Sequence, residues 1–167
     1  LAADGAHIGG IHEAQVAVCR AEPHRHRRSL DQRDQRLEIA ARIVCLPPDF
    51  DPARKYPAIL GSVYSNSAHN EWGGRIYHPT WGLDQFLAQQ GFIVMNVDIS
   101  GSSGYGKTFR QRIREDYGGV DVDDLYSGTR YLIEQGYVDP GRIGLWGSSY
   151  GGLLTAMSMF RYPGSRL

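Results

Sequence analysis

The chain has 167 residues, 41% of them apolar, which suffices for one domain with a packed core. Lys and Arg together number 18, as do Asp and Glu, so the formal net charge is zero and nothing global points to nucleic acid or an anionic membrane as partner. No run of about 18 apolar residues occurs, so no membrane-spanning helix is predicted.

Residues 1–36 differ in texture from residues 37–167. From Arg20 to Arg36 the chain carries Arg20, Arg25, Arg27, Arg28, Arg33 and Arg36, with almost no apolar residues between them. Such a stretch buries too little surface to offset its ordering entropy. It is expected to be a poorly ordered basic segment, detached from the domain that follows. His24 and His26 sit among these arginines, where a metal ion would be repelled, and no metal or cofactor is implied anywhere in the chain. Two cysteines, Cys19 and Cys45, do not make a disulfide framework, and Cys45 reads as a buried thiol.

In chain order, Leu37, Ile39, Ala41 and Ile43 alternate with polar or small residues, predicting a half-buried strand that ends at Pro47 and Pro48. Asp49 to Lys55 is a polar turn, and Pro57 to Tyr64 is a short apolar strand. Ser65 to Pro79, rich in Gly, Asn, Ser and His, is a long loop of the kind that is usually functional or disordered. Leu83, Phe86 and Leu87 recur at helical spacing up to Gly91. Phe92 to Asp98 is almost continuously apolar, the pattern of a strand covered on both faces. Ser100 to Gly106 is a glycine-rich loop, and Asp121 to Gln135 has a helical period. Asp139-Pro140-Gly141 is a turn, Arg142 to Trp146 a buried strand, and Leu153, Leu154, Met157 and Phe160 mark a last helix ending near Pro163. Strands alternating with helices predict an α/β fold with a mostly parallel sheet and helices on both faces.

Gly147-Ser148-Ser149-Tyr150-Gly151 matches G-x-S-x-G. Composition alone would give roughly 0.2 such matches, so the pentapeptide is weak by itself. Its context is stronger, because it follows a predicted strand directly and opens a predicted helix, as a nucleophile elbow requires. A serine on so tight a turn has strained backbone angles, and side chains two residues to either side would collide. Gly147 and Gly151 remove that collision, and Gly152 is expected to give the helix further room. Ser148 is excluded as the nucleophile, since Trp146 and Tyr150 would then occupy the positions that need glycine.

Gly141 to Gly152 resembles the prolyl oligopeptidase family of serine peptidases, which have an α/β-hydrolase catalytic domain. Three further pieces match in the same order. They are Tyr56-Pro57 leading into Val63-Tyr64, Gln85 to Asp98 followed by Gly101 to Gly106, and Asp123-Asp124 through Pro140. The resemblance covers residues 37–167 and implies hydrolysis of peptide bonds through an acyl-enzyme on Ser149, without a cofactor. It implies that the Tyr150 backbone N–H is one oxyanion donor and that the Tyr64 hydroxyl, as in dipeptidyl-peptidase-like members, is the second. Asp98, Asp123 and Asp124 read as structural carboxylates. Many members carry an arginine immediately before the glycine of the Gly-Ser-Ser-Gly loop, where this chain has Ser100.

In α/β-hydrolases the triad runs Ser, then Asp or Glu, then His. The 18 residues after Ser149 contain no Asp, Glu or His, while His69 and His78 precede it in an order foreign to the fold. The expectation is an incomplete catalytic domain, inactive alone. Its partners would be a peptide substrate, the C-terminal part of its own domain and an N-terminal β-propeller. A carboxylester hydrolase on the same scaffold and a non-catalytic fragment are the alternatives.

Overall fold

A computed structural model describes residues 18–22, 42–62 and 82–163. Among these residues five strands and four helices follow one another: β1 (Val18–Glu22), β2 (Arg42–Leu46), β3 (Tyr56–Ser62), α1 (Leu83–Gln89), β4 (Ile93–Val97), α2 (Gly106–Gln111), α3 (Val120–Glu134), β5 (Val138–Gly147) and α4 (Tyr150–Arg161). They form one sheet in the order β1-β2-β4-β3-β5. β4, β3 and β5 run parallel, and β2 and β1 extend the sheet with antiparallel pairings.

The near-continuous apolar run of β4 has its reason in the two layers around it. Ile93, Met95 and Val97 join Leu60, Val122, Leu125, Leu132 and Leu154 in the main core, which α3 and α4 cover. Val94 joins Cys45 and Ala88 on the α1 side. Both faces are dry, so alternation is lost from the sequence. Each fully buried aliphatic side chain contributes about 1.5–3 kcal/mol. On α1 the buried positions are Asp84 and Ala88, one turn apart, with Asp84 accepting a hydrogen bond from Asn96 Nδ2. Phe86, which helical spacing groups with Leu83 and Leu87, is 55% exposed.

Four local features depart from the sequence expectations. β1 falls inside the segment expected to be detached, yet it pairs with β2 over Val18–Leu46 to Glu22–Arg42. An edge ladder needs backbone donors and acceptors more than apolar side chains, so composition gave no sign of it. Cys45 is 1% exposed as expected, but it is disulfide-bonded rather than a thiol. The sequence has one other cysteine, Cys19, and the β1/β2 register sets it opposite Cys45. α2, six residues with Phe109 as its one large apolar member, has no period to detect, and the Gly101 N–H donates to the Phe109 carbonyl at its end (3.2 Å). The Asp139-Pro140-Gly141 turn lies within β5 as an outward excursion. Between Tyr56 and Ala58 the β5 partner advances from Val138 to Ile143, and Asp139 Oδ1 accepts the Gly141 N–H (2.9 Å).

Candidate active site

β5 passes into α4 through Ser148 and Ser149 with no intervening loop. Ser149 caps α4 with φ 55° and ψ −116°, a conformation foreign to residues with a side chain. Such strain costs about 1–3 kcal/mol and persists only where the surroundings enforce it. Here the enforcement is contact between strand and helix backbones. A Cβ on Gly147 would stand 2.3 Å from both the C and O atoms of Gly151 and 2.7 Å from its Cα. Gly152 corrects the sequence expectation, because its Cβ would meet Gly147 O at 3.4 Å, an ordinary contact that needs no glycine. The Gly151 N–H donates to Ser148 O (2.9 Å) and the Leu153 N–H to Ser149 O (3.1 Å), closing the turn.

This turn leaves Ser149 exposed, just beyond the C-terminal end of β5. The Tyr150 N–H finds no acceptor among the described residues. It belongs to the first turn of the 12-residue α4, where amides lack intrahelical partners and the helix dipole favours negative charge. An exposed hydroxyl, a free amide and a positive helix end therefore converge, the arrangement that a developing oxyanion requires.

The Tyr150 side chain runs to the start of α3. Its hydroxyl donates to Asp121 Oδ2, and its ring meets the Tyr117 ring edge-on at 5.8 Å. Burial first, and then the Asp121 carboxylate, push the Tyr150 hydroxyl above the ordinary tyrosine range. Asp121 is fully buried, and its Oδ1 accepts the Val122 N–H (3.0 Å). Nothing in the sequence marked Asp121 as more than a helix start, since only the packing of α3 against α4 brings it to the elbow. Tyr117 also lines a cleft of about 380 Å³ whose rim carries Lys107, Arg110 and Arg114.

The remaining carboxylates tie elements together. Asp98 accepts the Tyr105 hydroxyl, and Asp123 accepts Arg161 (2.8 Å) and the Tyr162 hydroxyl (2.6 Å). Asp124 Oδ2 accepts the Ser100 N–H (2.6 Å), anchoring the glycine-rich loop to α3. Burial raises Asp124 to about 6, opposed by the Ser100 hydroxyl and N–H and by the charge of Arg112. The Ser100 hydroxyl acts there by proximity, for Asp124 Oδ1 and the Ser100 and Ser102 hydroxyls are all buried without a hydrogen-bond partner among the described residues.

Tyr64, His69 and His78 lie outside the described residues. Ser62, two residues before Tyr64, is the register partner of Gly147, two residues before Ser149. Among the described residues no group of three or more His, Cys, Asp or Glu converges as a metal site would need.

Residues 82–164 match the model of the prolyl oligopeptidase family. The chain is 38% identical over 109 residues to dipeptidyl-peptidase 5 of Porphyromonas gingivalis, covering 65% of this chain and 15% of that protein. It is 35% identical over 113 residues to dipeptidyl peptidase 4 of Bos taurus, covering 67% of this chain and 14% of that protein. The crystal structure of Porphyromonas gingivalis dipeptidyl peptidase 4 superimposes with a TM-score of 0.63 at 31% identity, over 75% of this chain and 17% of that one. The chain thus spans about 15% of the length of the curated relatives it matches. The partial α/β-hydrolase domain expected from the sequence is the fold observed.

Proposed function

This chain belongs to the prolyl oligopeptidase family, and we propose on that premise that it supplies the nucleophile and part of the oxyanion site of a serine peptidase acting on short peptides. The observation that carries the proposal is Ser149, exposed and held at φ 55° where strand meets helix. In the proposed reaction the Ser149 Oγ attacks the carbonyl carbon of the scissile bond while its proton passes to a histidine base. The charge that appears on the carbonyl oxygen is met by the Tyr150 N–H and the Tyr64 hydroxyl. Collapse expels the amine, which takes the proton back from the histidine, and water then hydrolyses the acyl-enzyme with the same histidine as base.

The histidine and its orienting acid belong, in this proposal, to the part of the protein outside this chain, as does a β-propeller ahead of the hydrolase domain. We place the start of the hydrolase domain near residue 37, with β1 joined to it by strand pairing. The second-donor role of Tyr64 is supported by the Ser62–Gly147 register, since two residues span at most about 7 Å.

The test is turnover of a chromogenic dipeptide amide, and labelling by a fluorophosphonate, on the full protein that contains this chain and on its Ser149→Ala variant. Loss of both on Ser149→Ala is expected. Full turnover by that variant would remove the serine-peptidase reading. Cleavage of the matching ester but not the amide would make the protein an esterase.

A further inference from the structure

We infer that Asp121 and the Tyr150 hydroxyl form a buried strut that fixes the oxyanion-donating amide of Tyr150, making Asp121 a positioning residue for acylation. The inference rests on the serine-peptidase reading above. The Tyr150 N–H belongs to the peptide plane that follows Ser149, so its direction is set by the Ser149 ψ of −116° and by where Tyr150 itself is held. The Gly147–Gly151 contact and the two backbone hydrogen bonds of the turn hold the plane from the strand and helix sides. On the third side the Tyr150 ring lies against Tyr117 and its hydroxyl ends on Asp121. A rigid aromatic side chain fixed at its far end limits rotation about the backbone from which it grows.

Asp121 carries a cost that calls for a reason. It is 0% exposed and forms no ion pair among the described residues. A buried carboxylate survives only when its oxygens are hydrogen-bonded. One oxygen is held by the Val122 N–H at the start of α3, where the helix dipole also favours it, and the other by the Tyr150 hydroxyl. The carboxylate is therefore fixed to one helix and grips the first residue of another. A bond that only tied α3 to α4 could lie anywhere along their contact. This one reaches the single residue whose amide faces the developing charge.

The strut is tested on the full protein by comparing Tyr150→Phe, Asp121→Asn and Asp121→Ala, with active sites counted by fluorophosphonate titration. Loss of a whole oxyanion donor typically costs about 10²–10³ in kcat. A misdirected amide should cost part of that. Tyr150→Phe and Asp121→Ala should therefore lower kcat per titrated site about tenfold at unchanged KM. Each should weaken a peptide aldehyde, which forms a tetrahedral adduct on the serine, by a similar factor, while the affinity for the dipeptide product stays constant. Asp121→Asn keeps an acceptor for the hydroxyl and should lose only about two- to threefold. If Asp121→Ala does not fold, Tyr150→Phe, which keeps the ring, decides. Were Tyr150→Phe to retain kcat and aldehyde affinity within twofold, the strut would be structural only and the inference wrong. If Ser149→Ala also retains turnover, or the wild-type protein has none, the underlying reading has failed instead.

Discussion

Replacing Asp124 by Asn should stabilise the protein at neutral and alkaline pH, although it removes a charged residue that holds a loop. The side chain is 2% exposed, and burial raises its carboxyl to about 6 from a reference of 3.8. A group raised in this way binds its proton more tightly in the folded state. Its contribution to stability is therefore best at acid pH, worsens as pH rises from 3.8 through 6, and is constant above. A shift of about two pKa units corresponds to roughly 3 kcal/mol of destabilisation at pH 8, against about 0.6 kcal/mol at pH 4. Asn has the same shape, and its carbonyl oxygen can still accept the Ser100 N–H. Its NH2 group can donate to the Ser100 hydroxyl, which has no partner among the described residues in the wild type. Denaturant unfolding of both proteins at intervals from pH 4 to 8 measures the difference. The other buried carboxyls, such as Asp84, which burial raises also, are common to both and cancel. The variant should gain about 2 kcal/mol or more at pH 8 and little at pH 4, with the gap opening between. A variant less stable at pH 8, or a gap independent of pH, would show that the carboxylate is solvated or paired in a way that this structure excludes.

Gly147→Ala should abolish fluorophosphonate labelling and cost more than about 3 kcal/mol, because its Cβ would overlap the Gly151 backbone, whereas Gly152→Ala should fold and label normally. Thermal unfolding and labelling of the two variants side by side check this, and equal damage from both would contradict the contact geometry. Reducing the disulfide at Cys45 should lower stability by about 2–4 kcal/mol, the usual contribution of a native disulfide. Unfolding with and without dithiothreitol, using a Cys45→Ser control, measures it. Tyr64→Phe should reduce kcat by about 10²-fold with KM little changed, as expected for an oxyanion donor absent from ground-state binding. A loss confined to KM would assign Tyr64 to substrate binding.

Local physics made much of this protein legible from its residues. The helical period of residues 121–135 became α3 because its stripe of Val122, Leu125 and Leu132 had one face to bury. The unbroken apolar run at residues 92–98 became β4 because layers cover it from both sides. The elbow was readable because its requirement is steric and falls within five residues, although Gly152 turned out to be outside that requirement. Where pairing is long-range, the sequence carried no local trace. β1 is held by a backbone ladder to β2, and the arginine-rich stretch that begins within it pointed to a detached segment. The disulfide of Cys45 follows from the register of those two strands, which spacing in the chain does not fix. Asp121 reaches Tyr150 across 29 residues because α3 and α4 pack side by side on one face of the sheet. Steric and periodic constraints act between neighbours and can be read in order. The partner of a buried charge is chosen by which helices share a face, and that is decided only when the whole sheet has formed.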